Sequence, residues 1–188
     1  MIGNGSNNVE NYLHSLGKYV VKQSRTMLTK ARKNVNKDLY NSISYKVVPS
    51  GGDFILEFYM LNYGKFVDKG VSGNKQIQNY TTWDKRQVAS PFQYKSKGPP
   101  IDILSKWIKK RGIKPSGTER GRSKKTGQYI SGLAYLISKA IKRDGIKSLS
   151  FFQRPLGLGL ESYPTDLLNA VKEDILNTLD KETITHIE

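Results

Sequence analysis

A long helical pattern of apolar residues near the N-terminus constrains the fold of this chain more than any other feature. Apolar residues recur at helical spacing through residues 8–33, so that they form one continuous stripe. The other side of the same pattern carries six cations, namely Lys18, Lys22, Arg25, Lys30, Arg32 and Lys33. We predict one amphipathic helix over this range. Its basic side is either a solvated surface or a surface that faces nucleic acid.

Two alternating segments with a tight turn follow this helix. Residues 43–48 and 54–61 alternate between apolar and polar side chains, and the sequence SGGD at 50–53 is a strong turn signal. This pattern predicts an antiparallel hairpin. The predicted fold class is therefore α+β, with a hairpin-based antiparallel sheet packed by the long N-terminal helix and with further helices. The length of 188 residues fits a single domain, residues 1–188.

Residues 72–100 form a long polar segment that contains aromatic residues but no clear period. A segment of this length inside a compact domain is usually functional or disordered, and its aromatic content argues against plain disorder. We expect an inserted arm whose aromatic residues pack on a neighbouring subunit. The four residues of this predicted assembly arm are Tyr80, Trp83, Phe92 and Tyr94.

The second half of the chain contains three more helical patterns. Residues 101–111, 128–143 and about 164–183 have apolar residues at helical spacing. Between the first two lies a segment rich in Gly, Ser, Lys and Arg, residues 114–126, which predicts a flexible basic loop. The glycine-rich residues 157–162 predict a flexible link before the last helix.

The charge is distributed unevenly along the chain. Residues 95–125 hold eleven Lys and Arg against two acids, whereas residues 161–188 hold seven acids against two lysines, within a net charge of +15. This asymmetry points to an acidic partner for the middle of the chain, which is either a protein surface or nucleic acid. The predicted interaction residues are Lys109, Lys110, Arg111, Arg120, Arg122, Lys124 and Lys125. A solvated face is the plainer interpretation of such a run.

The sequence shows no recognisable catalytic or cofactor motif. It has no cysteine, and its two histidines have no partner at metal-ligand spacing. A loose group of Asp53, Glu57 and Lys46 resembles what a metal-dependent nuclease would need, but a turn aspartate needs no catalytic explanation. We therefore expect a non-enzyme without metal or cofactor. The absence of a long apolar run and of a signal-peptide pattern predicts that it neither enters a membrane nor is secreted.

The order of the segments carries a resemblance to a known family. The first motif, residues 38–43 (DLYNSI), follows the first helix, and the second, residues 63–70 (YGKFVDKG), follows the hairpin. Residues 132–147 then lead to the third motif, residues 150–156 (SFFQRPL), before the last helix. This series resembles the tail-completion proteins of bacteriophages, also called neck or head–tail joining proteins. The similarity covers most of the chain outside residues 72–126.

The resemblance implies a structural role in a virion. It implies an α+β subunit that forms a ring at the head–tail junction, joins the portal or an adaptor to the tail, and performs no catalysis. Such a protein is made in the cytoplasm of the bacterial host and resides in the virion, and packaged DNA in the ring channel is a further candidate partner. The basic middle and the acidic end supply the two different patches that a head-to-tail ring contact requires.

Two other classes of function remain open from the sequence. The first is a soluble protein that binds nucleic acid without sequence preference through its basic loop, which would show a steep dependence on salt. The second is a nuclease-like enzyme, which would cut DNA in the presence of a metal. For the cations at 120–125 we favour a protein partner over DNA, because a ring that grips phosphates tightly would slow the passage of the genome.

Overall fold

A computed structural model provides the fold of the chain and confirms the mixed α+β class. The structure describes residues 8–33, 36–51, 53–113, 120–122, 129–161 and 163–185. The described residues form seven helices: α1 (Asn8–Lys30), α2 (Asp38–Ser42), α3 (Gly64–Lys69), α4 (Ile101–Lys110), α5 (Gly132–Asp144), α6 (Gln153–Glu161) and α7 (Tyr163–Thr185). They also form eight strands: β1 (Ser44–Ser50), β2 (Asp53–Tyr59), β3 (Val71–Ser72), β4 (Asn79–Thr81), β5 (Gln87–Ala89), β6 (Arg120–Arg122), β7 (Tyr129–Ser131) and β8 (Gly145–Ile146).

The strands pair in twos, and each pair is antiparallel: β1 with β2, β3 with β8, β4 with β5 and β6 with β7. β1 and β2 form the predicted hairpin, in which Val47 lies opposite Leu56 and Val48 lies opposite Ile55. Side chains alternate between the two faces of a strand. Tyr45 packs against the core, so Val47 and Leu56 share its inner face, and Val48 and Ile55 lie on the outer face.

α1 confirms the predicted N-terminal helix, although it ends at Lys30 rather than at Lys33. Arg32 has a left-handed backbone (φ 53°), and the Lys33 N–H donates to the Leu28 carbonyl over 2.9 Å. The Arg32 N–H donates to the Thr29 carbonyl over 3.0 Å. This pair of bonds across a left-handed residue is the common way in which a helix satisfies its last carbonyls, and it stops α1 here.

The main core cluster joins residues that are far apart in the chain. Its buried members are Val21, Leu28, Leu39, Ile43 and Phe151. Leu39 belongs to a short helix, α2. A five-residue helix is too short to be stable alone, so α2 depends on the burial of Leu39 against α1.

α6 replaces the predicted flexible link, which is the clearest correction to the sequence-based fold. Its start is stabilised by the buried carboxylate of Asp68, which accepts a hydrogen bond from the Phe152 N–H over 2.8 Å. Within the helix, a Cβ added at Gly157 would lie 2.0 Å from the Trp83 carbonyl oxygen. The glycine therefore allows a close approach of two backbones. Tertiary packing overrides the low helix propensity of this segment.

The predicted arm is bonded to its own chain. The Ser72 N–H donates to the Phe92 carbonyl over 2.7 Å, and the Tyr94 N–H donates to the Ser72 carbonyl over 2.8 Å. Between these ends, β4 and β5 form a short hairpin. The segment 72–100 thus differs from an extended arm, because its start and its end bond to each other. It is also bonded to α5, since the N–H groups of residues 74 and 75 donate to the Lys142 and Arg143 carbonyls over 2.9 and 3.0 Å.

The predicted basic loop is partly a hairpin. Arg120 and Arg122 lie on β6, which pairs with β7 at Ser131 and Tyr129. α5 consequently begins at Gly132 rather than at residue 128, since the residues before it pair as a strand. Lys124 and Lys125 lie outside the described residues.

α7 lies against α1 through its first half. The Asp174 carboxylate accepts hydrogen bonds from the Asn8 N–H over 2.8 Å and from the Val9 N–H over 3.1 Å, so it caps the start of α1. Ala170 is buried in the same contact. Among the described residues, no helix combines the length and the apolar character that a membrane span requires.

Candidate interaction site

Two of the predicted interaction residues, Lys110 and Arg111, lie in a cleft between α4 and the residues that precede and start α2. The cleft encloses about 410 Å³. Its cations are Lys33, Lys37, Lys106, Lys110 and Arg111. Asp38 is the one acid among the described residues that line it. Because Trp107 and Tyr63 also line the space, we call it the basic–aromatic cleft.

The ends of α1 and α4 meet at this cleft. Arg111 follows the last residue of α4, and its guanidinium donates to the Arg32 carbonyl just beyond α1. Cations are favoured near helix C-termini, where unpaired carbonyls carry partial negative charge. This accounts structurally for the predicted cations Lys109, Lys110 and Arg111, and it leaves Lys37 and Lys106 without that explanation.

Lys37 has a strained backbone at the edge of the cleft. It precedes α2 with a left-handed conformation (φ 57°, ψ 6°) and without a side-chain cap on the helix. A side chain with a Cβ costs about 1–2 kcal/mol in this conformation. The Lys37 carbonyl accepts the Asn41 N–H over 2.8 Å, so the strained residue is tied to α2.

The cleft also exposes apolar surface. Tyr63, Ile103 and Trp107 are exposed, and the Arg111 guanidinium lies 5.9 Å from the centre of the Trp107 ring. Burial and the charge of Asp38 raise the pKa of Tyr63, so its hydroxyl stays protonated at neutral pH. Cations beside exposed aromatic rings suit an acidic partner that also brings an apolar group.

The residues of the second and third motifs are joined at Asp68. This side chain is 3% exposed, and its carboxylate accepts the N–H groups of Phe152 and Gln153 over 2.8 and 3.4 Å. Burial raises the pKa of Asp68, and the two N–H groups partly offset that rise. The Val67 and Asp68 carbonyls accept the N–H groups at positions 149 and 150 over 3.0 and 2.9 Å. The acid of YGKFVDKG is therefore the cap of α6.

The first motif enters the same region. Leu39 and Ile43 from DLYNSI and Phe151 from SFFQRPL are buried in one cluster with Leu28 of α1, and Val67 packs against it. Each motif thus supplies residues to a shared core. The sequence showed the order of these motifs but gave no sign that they touch.

Three of the four predicted arm residues are half-buried in the single chain: Tyr80, Phe92 and Tyr94. Phe92 packs edge-on against Phe66 with 4.6 Å between the ring centres. Trp83 is different because it is 52% exposed, although its backbone N–H donates to the Gln153 side chain over 3.1 Å. Burial of the arm residues in an assembly stays a prediction, and it now concerns Trp83 above all.

The remaining predicted residues are not brought to the cleft by any described contact. Arg120 and Arg122 lie on β6, and their side chains, like Lys124 and Lys125, are outside the described part of the structure. Asp53 and Glu57 are four residues apart on β2, which places their backbones about 13 Å from each other. Glu57 instead accepts the Tyr59 hydroxyl. Across the described ranges, no group of three or more His, Asp and Glu could hold a metal.

The sequence did not identify most of the cleft. Lys33 and Lys37 both precede α2, and the contribution of Tyr63 follows from the position of α3. A signal existed on α4, where Ile103, Lys106 and Lys110 recur at one face of the helix.

Comparisons of the chain with protein-family models, with curated proteins and with solved structures gave no match. A function for this chain is therefore inferred from its own residues and their geometry.

Proposed function

We propose that this chain is a structural subunit of a phage virion, which forms a ring at the head–tail junction and joins the portal or an adaptor to the tail. One observation carries the proposal: the three motifs of the resemblance meet in one core. Asp68 bonds to the Phe152 N–H, and Leu39, Ile43 and Phe151 are buried together. Short motifs match by chance easily, but motifs that depend on each other physically are a stronger sign of a shared fold.

Two separate apolar surfaces support assembly. The outer face of the β1–β2 hairpin exposes Val48 and Ile55, and α7 exposes Leu168 and Ile175 to 68% and 55%. Exposed apolar groups that lie together commonly mark protein contacts. A ring that closes head to tail needs two unlike patches on each subunit, and these surfaces lie on different elements.

The charges support the same mode of contact. The basic–aromatic cleft holds five cations and one acid, whereas residues 161–188 hold seven acids and two lysines. Complementary potentials fix the register of two partners and suppress wrong pairings. We assign to the cleft an acidic surface of a neighbouring virion protein or of the next copy.

The test is the mass of the purified protein in solution, combined with negative-stain images. Closed rings are expected, and a monomer at every concentration up to the solubility limit contradicts the proposal. Incubation with DNA and Mg²⁺ or Mn²⁺ should leave the DNA intact, because the proposal assigns no catalysis. If the protein cuts DNA in the presence of metal and Glu57→Ala abolishes the cutting, the protein is a nuclease and the proposal is wrong.

A pair of variants tests the α7 surface. Leu168→Glu with Ile175→Glu places two charges on the exposed apolar stripe and should abolish ring formation while the monomer melts as before. Asn169→Glu with Asn177→Glu adds the same charge at exposed positions of the same helix and should leave the rings intact. Rings in both variants would remove α7 from the subunit contact.

A further inference from the structure

A second basic surface lies along α1 and is separate from the basic–aromatic cleft. Here α1, Tyr40 and Tyr45 line a groove of about 820 Å³. Its cations all come from α1: Lys18, Lys22, Arg25 and Lys30. None of the described residues that line this groove is acidic. We call it the α1 groove.

The cations of the α1 groove are spread along the helix axis. Lys18 and Lys30 are twelve residues apart on one helix, so their backbones are separated by about 18 Å along the axis. A nucleic-acid strand in a duplex places one phosphate every 3.4 Å along its axis, so these cations span about five phosphates. The length and direction of this spread suit a linear polyanion better than a single anion.

One of these cations is held in place by the fold. The Arg25 guanidinium donates to the Tyr40 carbonyl over 3.0 Å and to the Ile43 carbonyl over 2.9 Å, and it lies 5.2 Å from the centre of the Tyr40 ring. These contacts are to neutral groups. The charge of Arg25 is therefore fixed in the wall of the groove and is not neutralised by them.

The other cations form no ion pair with the described residues either. In the part of the protein that the structure describes, the ion pairs involve His14, Lys85, Arg86 and Arg143, and none includes a cation of the α1 groove. Lys18 and Lys22 lie one turn apart, and like charges at this spacing oppose each other and destabilise a helix. A bound polyanion would remove that repulsion.

The chemistry of the groove favours a phosphate backbone over bases. Arg25 lies over one face of the Tyr40 ring, and the Tyr45 ring packs on Gly17, so one face of each ring is already covered. The hydroxyls of Thr26 and Thr29 donate to helix carbonyls over 2.9 and 3.0 Å. What the groove offers is positive charge, which holds a backbone without reading sequence.

We infer that the α1 groove binds the phosphate backbone of double-stranded DNA without sequence preference. Because one face of each lining ring is covered, the groove offers little surface for base stacking, which favours a duplex over a single strand. This activity goes beyond the proposed virion role, since a subunit can form a ring without binding DNA. The two are separable by experiment, because ring formation is measured by mass and DNA binding by anisotropy.

The test uses the full chain and a fluorescent DNA duplex of mixed sequence, with the dissociation constant measured between about 50 and 200 mM salt. Removing two phosphate contacts should reduce the slope of log K against log salt by about 1.8. Lys18→Gln with Lys22→Gln changes two exposed side chains of the groove and should produce this reduction. Lys106→Gln with Lys110→Gln removes the same charge from the basic–aromatic cleft and should leave the slope near that of the parent protein.

Several results would overturn the inference. These are no binding of the duplex, equal weakening by both double variants, tighter binding of a single-stranded oligothymidine, and equal competition by a glutamate-rich peptide. Equal weakening would assign the affinity to net charge, and peptide competition would assign the groove to an acidic protein. Thermal melting and solution mass of both variants should match the parent, so that a loss of binding is not a loss of fold or of rings.

Discussion

The first and the last helix have the same length, 23 residues each, but their apolar residues have opposite environments. α1 buries Leu13, Leu16, Val20 and Leu28 because the β1–β2 hairpin, α6 and α7 all pack against it. α7 packs on α1 and α6, and among its described side chains the large apolar ones are mostly exposed. Helical periodicity thus gives each helix an apolar side, and the packing of neighbouring helices and strands determines whether that side is buried.

The largest expected effect comes from shortening a side chain on each helix. Leu28 of α1 is fully buried, so Leu28→Ala should lower the free energy of unfolding by about 2–5 kcal/mol through lost burial and a cavity. Leu168→Ala on α7 removes the same atoms from an exposed site and should change it by less than about 0.5 kcal/mol in the monomer. Urea unfolding at a concentration that keeps the protein monomeric measures both. Equal losses of unfolding free energy in the two variants would mean that Leu168 is buried in the monomer, which contradicts the contrast between α1 and α7.

A smaller effect is expected at the cap of α6, the helix that packs against both α1 and α7. Asp68→Ala leaves the buried N–H groups of Phe152 and Gln153 without their acceptor and should cost about 1–3 kcal/mol. Asp68→Asn keeps an acceptor oxygen and serves as the control, which should lose less. If Asp68→Ala lowers the free energy of unfolding no more than an exposed substitution does, Asp68 does not stabilise α6 as a cap.

The pH dependence of the Asp68 cap has a defined sign. Burial raises the pKa of Asp68 in the folded protein above 3.8, its usual value, so the folded state holds this proton more tightly than the unfolded state. Relative to Asp68→Asn, the parent protein should therefore be most stable below pH 3.8 and should lose stability as the pH rises through the folded pKa. Urea unfolding of both proteins across the acid range checks this. The opposite trend would show that the N–H groups outweigh burial.

The smallest effect is expected where the two long helices are bonded together. Asp174 of α7 caps α1 by accepting two N–H groups, so Asp174→Ala should lower stability by about 1 kcal/mol. Glu173→Ala removes a carboxylate from the neighbouring exposed position and should have almost no effect. Hydrogen exchange of the first turn of α1 should increase in the Asp174 variant alone. Equal behaviour of the two variants would mean that α7 contributes no specific cap to α1.

Elements that depend on local chemistry could be predicted from the sequence alone. The sequence predicts the apolar stripe of α1, the hairpin around the SGGD turn and a helix at 101–111, which the structure shows as α4. These predictions succeed because periodicity and turn residues act over short distances. The uneven charge was also visible, since it is a property of composition. The order of the three motifs could also be seen in the sequence, whereas their contact in one core could not.

The tertiary structure decided what depends on distant partners. α6 forms in a glycine-rich segment because Asp68 caps it and because Gly157 allows the Trp83 carbonyl to approach. The basic–aromatic cleft exists because the end of α4 meets the end of α1, which brings Lys106 beside Lys33. Leu168 is exposed because the described elements that pack against α7, which are α1 and α6, do not cover it. Local sequence fixes which faces a segment has, but burial and clustering require a second segment, whose position is set by the packing of the whole chain.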